Sequence, residues 1–600
     1  MTAASESTEP KPIGLLPLSL IALVLGICGG FGAVFFRGLI GVIHNIAFLG
    51  KFSAYYDANV FTPPSPWGVG IILVPVIGAV LVNFLIVKFA PEARGHGVPE
   101  VMDAIYYNEG RIRGMVAAIK SLASALSIGT GASVGREGPI IQIGASVGSW
   151  VGQVLPMATW QRITLVAAGA GAGIAGTFNT PIGGVMFAVE LMMPEVSTRT
   201  FIPVALATGA ATFISRAFLG LEPAFHVPPL PHLAYDPEAM LILLLYGVLG
   251  IIVGVGAAAF VRGLAWAERI FHNIPNSYAR HCLGMLGVGI MIYLLSFFFG
   301  HNFVEGVGYA TIQAVLESSL VFAPLLLLLF VCKLGATLLS LGSGASGGIF
   351  SPSLFMGAVL GAAFGIIMDT LAPGLGISSI GFAMVGMAAM VGGATGAAMT
   401  AVTMIFEMTQ DYAIVMPMII AVAIAIGVRR VLSRENIYTI KLVGRRHFIP
   451  KALHANMFLV RHAGDVMETD ILIVPANTGF DQFLHEAAGK KAARHLVITK
   501  DDWVCGVQTM DAALRRGLEK SGTDATLGDV IKTDFAIAHP EDTIFQVLRR
   551  MQDRNAEMAL VMKGSGVWTG MPRGDDVLGV ISKDQVADSV TDSILPYSAA

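Results

Sequence analysis

Charge is distributed along this 600-residue chain in two regimes, and that division constrains the fold more than any motif. Residues 1–440 carry 39 charged side chains, whereas residues 441–600 carry 40. Soluble globular domains are about one-quarter charged, so the first stretch has the composition of a membrane domain and the second that of an ordinary soluble one. The whole chain is 54% hydrophobic with a formal net charge of −3. One large soluble enzyme and a disordered chain are thereby excluded, and no basic footprint for nucleic acid is present. Cys28, Cys282, Cys332 and Cys505 lack paired spacing. This excludes a disulfide framework or zinc site and fits a tail in a reducing cytoplasm.

The N-terminal twelve residues have no basic n-region, and the apolar run Ile13–Phe36 is long for a signal peptide. It reads as a first membrane helix after a short cytoplasmic lead (1–12). Further apolar stretches lie near 68–89, 114–134, 140–155, 162–193, 201–219, 239–264, 281–299, 319–341, 349–371, 378–408 and 413–432. Several are too short for one span of about 20 residues, or long enough for two segments. Glycine and proline interrupt many of them. Such breaks are tolerated where freed backbone groups face a protein-lined cavity, and in transporters they point to the binding site.

An internal repeat supports this reading. Lys120 precedes Gly135 by 15 residues and Pro139 by 19; Lys333 precedes Gly348 and Pro352 by the same intervals, at an offset of 213. Gly95-His96-Gly97 precedes the first lysine and Gly306-Val307-Gly308 the second. Phe187-Ala188-Val189-Glu190 is matched by Met404-Ile405-Phe406-Glu407. The expected plan is an all-α polytopic membrane domain over 13–440, an inverted repeat with broken helices and halves at about 13–220 and 239–440.

GHGVPE (Gly95–Glu100), GREGP (Gly135–Pro139) and GGIFSP (Gly347–Pro352) each put glycine and proline where a loop turns into a helix. Glycine allows close backbone approach, and proline suits the first helical turn. The N–H groups and positive dipole end of each helix then face a cavity. Three such ends together would bind an anion without a full positive charge that would hold it too tightly. The bland alternative for any one motif is a simple helix break.

In this order, GREGP, the Gly-x-Gly-x-Pro of 95–99, the Gly-x-Phe-x-Pro of 348–352 and Tyr438 resemble the CLC chloride channel and transporter family. The resemblance covers nearly all of the membrane part. It implies that Glu137 is the gating glutamate, competing with the anion and swinging out when protonated. A carboxylate beside an anion site is pushed toward its protonated form by like charge and desolvation. A structural partnership with Arg136 is the alternative. Gly138, the N–H groups of Ile349 and Phe350, and the Tyr438 hydroxyl would contact the anion.

Two positions depart from the family pattern. His96 stands where serine is common. It is expected to line the inner anion pathway and, through its titration, to make transport sensitive to internal pH; a neutral ring satisfied by backbone is the alternative. Exchangers typically have a second glutamate after the one at 190, but this chain has Leu191. Glu137 and Glu190 are therefore the proton-pathway candidates, with Glu190 also readable as structural. GREGP and the tyrosine are intact, which favours chloride over fluoride.

After Tyr438 comes a basic linker (441–458) containing Arg445-Arg446-His447, expected on the cytoplasmic side. Two β–α–β–β units follow at a spacing of about 65 residues (459–522 and 523–592), resembling a tandem CBS pair. Many CBS sites hold adenine nucleotide. Here Thr509, Ser582 and Asp584 are the weak candidates, with the aspartate one residue early in each unit. A dimerisation and gating module without any cofactor is the alternative.

The resemblance implies transport of chloride or a similar monovalent anion in exchange for protons, gated at Glu137. The partners would be the anion, protons and the lipid bilayer, in a homodimer of the plasma or inner membrane with both termini cytoplasmic. A passive voltage- or pH-gated channel stays open because of Leu191. A membrane-anchored nucleotide sensor is the rival from another class. An enzyme is not expected, since no nucleophile–base set, metal cluster or phosphate loop stands out in the tail.

Overall fold

The computed structural model describes residues 12–228, 237–449, 461–489, 493–519, 526–527, 534–564 and 572–587. The chain divides after Ile449 into two compact units. The first is helical: α1 Leu15–His44, α2 Val74–Phe89, α3 Val98–Tyr107, α4 Met115–Gly129, α5 Glu137–Val154, α6 Thr159–Phe178, α7 Pro181–Phe187, α8 Thr198–Leu219, α9 Pro237–His272, α10 Ser277–Phe299, α11 Tyr309–Leu316, α12 Ala323–Ser343, α13 Phe350–Leu371, α14 Ser379–Thr395, α15 Ala398–Thr409, α16 Val415–Leu432 and α17 Thr439–Gly444. Among the described residues, eight helices are long and apolar enough to cross a membrane.

The repeat read from the lysine spacing extends over the whole unit. Helices α1–α8 and α9–α16 match one for one in order, and their packing partners match as well. α5 lies on α6 as α13 lies on α14, α1 on α8 as α9 on α16, and α4 on α5 as α12 on α13. The closest of these contacts are made by glycine. A Cβ at Gly144 would clash with the Gly169 carbonyl across α5 and α6, and one at Gly357 would clash with the Gly386 carbonyl across α13 and α14. Without a hydrophobic drive between helices in lipid, such small-residue contacts let van der Waals packing hold the bundle.

The two longest apolar runs are each a pair of helices. Run 162–193 breaks where Asn179 takes the left-handed conformation (φ 63°) before Pro181 starts α7. Run 378–408 breaks at Gly396 (φ 78°) before α15. A π-turn, Ala188–Met192, extends α7.

The basic segment expected as a linker is partly docked. Lys441 and Arg445 pair with Glu100 on α3 at 2.9 and 3.0 Å, and His447 meets Asp103 at 2.5 Å. The Tyr107 hydroxyl donates to the Phe448 carbonyl at 2.6 Å. Opposite charges from α3 and the segment therefore bring residues 441–448 into the helical unit, while 450–460 lie outside the described residues.

Among the described residues, the second unit holds two three-stranded sheets of identical topology. In the first, β1 Ile471–Pro475 runs parallel to β2 His495–Lys500, which runs antiparallel to β3 Trp503–Thr509. In the second, β4 Phe535–Ala538, β5 Met558–Met562 and β6 Val577–Ser582 repeat that pattern. Helices α19 Phe480–Gly489 and α21 Ile544–Asp553 make the parallel connections, after the short α18 Ala463–Val466, and α20 Met510–Glu519 follows β3. The sheets pack through Ile471, Val497 and Val507 against Met558, Leu560 and Val580. Each lead-in segment serves the other sheet. Ala463 lies in the core of the second with Ala536 and Val547, whereas Leu527 lies in the core of the first with Phe483 and Leu496.

Candidate functional site

Backbone pairing brings the three glycine–proline motifs together. Gly135 and Gly348 exchange hydrogen bonds, N–H to carbonyl, at 2.7 and 2.6 Å. Gly95 donates to Ala345 at 3.1 Å and accepts from Gly347 at 3.2 Å. The positive φ of Gly95 (78°) and Gly97 (83°) lets the chain turn into α3 between these bonds. Gly138 is the point of closest approach, because a Cβ there would clash with the His96 carbonyl and crowd Gly348. The N-terminal ends of α5 and α13 and the loop before α3 thus meet in one place.

Glu137 opens α5 and is buried there, at 1% exposure. Its carboxylate is received by the other half. The Tyr309 hydroxyl donates to Oε1 at 2.6 Å, the Ser351 hydroxyl donates to the same oxygen, and the Ser351 backbone N–H donates to Oε2 at 3.3 Å. That last donor belongs to the first turn of α13, where N–H groups have no acceptor within the helix. The carboxylate therefore sits where the helix end would hold an anion. Its donors are neutral. Arg136 instead lies over the rings of Tyr309 and Phe178, at 5.2 and 5.9 Å.

Of the other residues singled out from the sequence, His96 adjoins this point through its carbonyl, beside Gly138. Ile349 is the N-cap of α13 and Phe350 its first residue, both buried. Tyr438 is the N-cap of α17, buried, with its N–H held by the Asn436 side chain at 2.9 Å. The ring centroids of His96 and Tyr438 are 5.8 Å apart. His96 is 1% exposed, and its Nδ1 has no hydrogen-bond partner among the described residues. A buried polar atom without a partner is costly, so this nitrogen is free to serve a ligand or water.

Lys120 and Lys333 are fully buried and do the same task in each half. Lys120 Nζ donates to the Ala93 and Gly95 carbonyls at 2.9 and 2.8 Å, and Lys333 Nζ to those of Val304 and Gly306 at 3.1 and 2.9 Å. Each ammonium fastens the loop that enters the next short helix, α3 or α11.

Glu190 lies in the π-turn after α7. Its carboxylate accepts from the N–H groups of Met399 and Thr400 and from the Thr400 hydroxyl, at 3.2, 2.9 and 2.8 Å. It caps the N-terminal end of α15. Leu191 follows it, half-buried.

In the second unit, the Thr509 hydroxyl accepts from the Ala512 N–H at 3.4 Å, and the Ser582 hydroxyl from the Gln585 N–H at 3.1 Å. Both are helix caps. Asp584 is exposed.

Sequence reasoning passed over Tyr309 and Ser351. The signal was within the motifs themselves. Tyr309 follows Gly306-Val307-Gly308, the counterpart of Gly95-His96-Gly97, and Ser351 lies inside GGIFSP.

The profile of the family described as "Voltage gated chloride channel" matches residues 78–430. A putative chloride channel protein, ClcB-like, of Ralstonia nicotianae is 33% identical over 59% of this chain and 81% of its own. The H(+)/Cl(−) exchange transporter ClcA of Vibrio cholerae is 30% identical over 72% of this chain and 90% of its own. Among solved structures, a slow cyanobacterial Cl−/H+ antiporter aligns with TM-score 0.62 at 26% identity, over 72% of this chain and 98% of that one. A eukaryotic CLC transporter aligns with TM-score 0.59 at 18% identity, over 94% of this chain and 99% of that one, a likeness of fold.

Proposed function

This chain belongs to the voltage gated chloride channel family, and from that premise we propose that it exchanges chloride, or a similar monovalent anion, for protons with Glu137 as the gate. One observation carries the reading: the Glu137 carboxylate lies at the N-terminal end of α13, bonded to a backbone N–H that an anion would otherwise receive. Protonation removes the charge that the helix end attracts. The neutral side chain then leaves, and the anion takes its place, so a proton and an anion alternate at one position.

Gly138, Ile349 and Phe350 present backbone to that position, and Tyr438 a neutral hydroxyl. His96 serves as a second neutral donor. Its ring is disfavoured as a cation chiefly by desolvation and then by Lys441, with Glu100 opposing. This reading replaces titration of His96 by hydrogen bonding through its unpartnered nitrogen. Glu190 acts as a helix cap, since both its oxygens are taken, and protons reach Glu137 from the inner side along water rather than through a carboxylate at 191.

A passive channel is the second reading, and Leu191 is what favours it, because an alkyl side chain cannot carry a proton. Liposomes holding the purified protein, under a chloride gradient with voltage set by valinomycin and potassium, separate the two. A reversal potential that moves with a pH gradient supports exchange. One that follows chloride alone overturns it in favour of the channel, and absence of chloride flux overturns both. The paired sheets of the second unit support a tandem CBS module on the cytoplasmic side. With Thr509 and Ser582 used as helix caps, its role is assembly and gating of a homodimer rather than nucleotide binding.

A further inference from the structure

We propose that Tyr309 is a latch, a positioning residue whose phenol holds the Glu137 carboxylate in the closed position and sets the outer pH at which the gate opens. The inference rests on the reading of Glu137 as a proton-operated gate. Tyr309 starts α11 directly after Gly308, whose φ of 78° turns the chain into the helix. Its side chain is buried and confined. Phe178 and Phe225 stand 6.4 and 5.3 Å away, centroid to centroid, and the Arg136 guanidinium lies over the ring.

The hydroxyl so fixed reaches Glu137 Oε1 at 2.6 Å and the Ser351 oxygen at 2.9 Å. A separation of 2.6 Å is within the range of an O–H donor on a charged oxygen. The phenol donates to the ionised carboxylate. A protonated carboxyl brings its own hydrogen, so that bond must break or reverse, and release of the gate becomes conditional on the proton. A small cavity lined by Tyr56, Thr62, Asn302, Glu305 and Tyr309 adjoins the latch. The internal repeat sharpens the point. The residue matching Tyr309 in the other half is Val98, after Gly95-His96-Gly97, so a hydroxyl stands only in the copy that faces the gate.

The charged and titratable groups around this triangle and the adjoining cavity are Arg136, Arg37, Lys333, Tyr438, Tyr56, Asp57 and Glu305 with its partner His44. The test leaves all of them in place. Chloride flux of the full-length protein in liposomes is followed against outer pH for wild type, Tyr309→Phe, Ser351→Ala, Glu137→Gln and the double variant Glu137→Gln with Tyr309→Phe. Tyr309→Phe keeps the ring and removes the donor. Its half-maximal pH moves upward by about one unit, the scale of one hydrogen bond to a charged group, and its flux at neutral pH rises several-fold. On the Glu137→Gln background the same change has little effect.

An unchanged pH profile overturns the latch. So does an equal change on both backgrounds, which would mean ring packing alone. Ser351→Ala, which takes the other hydroxyl from the same oxygen, must shift the profile in the same direction; this keeps the test decisive should Tyr309→Phe fold poorly. A wild type without chloride flux sinks the transport reading and the latch together. A transporting wild type with flat variant profiles sinks the latch alone.

Discussion

Glu190 and Glu407 cap each other's helices. Glu190, at the end of α7 in the first half, accepts the N–H groups that open α15 in the second. Glu407, at the end of α15, accepts those of Ile182 and Gly183, which open α7, at 3.0 and 2.7 Å. The two carboxylates satisfy orphan donors and helix dipoles across the boundary between the halves.

Removing either cap should therefore loosen the boundary and leave proton coupling in place. Glu190→Ala and Glu407→Ala should each cost about 2 kcal/mol, the range for hydrogen bonds to a charged group. The corresponding glutamine variants, which keep one accepting oxygen, should cost less. Thermal unfolding in detergent, followed by the monodisperse fraction, measures this. Loss of the pH-dependent reversal potential in a stable Glu190→Gln protein would return Glu190 to the proton route.

The two buried lysines should behave as equivalents. Lys120→Met or Lys333→Met takes the ammonium donor from two loop carbonyls, although Ala93 keeps the Ser346 hydroxyl and Gly95 the Gly347 N–H. Each change is expected to destabilise by about 2–3 kcal/mol and to slow transport, because the loops so released carry His96 on one side and Tyr309 on the other. Purified yield, melting temperature and chloride flux give the comparison. A stable Lys120→Met protein with wild-type flux would contradict it.

His96→Ser replaces a ring N–H by a smaller hydroxyl that reaches less far. Relative flux of chloride and larger monovalent anions should change about several-fold, by the worth of one hydrogen bond, while the dependence on inner pH should stay as in wild type. A change in the inner-pH profile would restore a titrating histidine.

In the second unit, burial raises the pKa of the Cys505 thiol, against smaller opposing effects of backbone and Lys500, and its hydrogen is directed at the Ile498 carbonyl at 3.3 Å. A higher pKa means less thiolate at any given pH. Alkylation of Cys505 near neutral pH should be slower in the folded protein than in denaturant, and its rate should still be rising at pH values where the denatured thiol has levelled off. Equal rates and equal pH profiles in the two states would refute this. Mass spectrometry of the peptide carrying Cys505 supplies the measurement.

Much of the architecture could be read before any coordinates, because glycine, proline and lysine mark positions where backbone must turn or be fastened. Gly95, Gly135 and Gly348 were separate points in the sequence, and hydrogen bonds join them in the fold. The apolar runs gave the helices but left the breaks at Asn179 and Gly396 open, since hydropathy does not register a change of backbone handedness. Tyr309 was hidden for another reason. Its meaning comes from a partner 172 residues away, and aromatic residues are common in apolar helices. The crossed seating of Ala463 and Leu527 was equally out of reach, because local periodicity says nothing about which of two like sheets a segment will join.

The proposed gate has parts from both halves: the carboxylate comes from one, and the hydroxyls and backbone N–H from the other. Neither half holds the whole set by itself. A slide of one half along the other would disturb all three bonds, so the seam would behave like a vernier, turning small misalignment into a change in how firmly the door is shut.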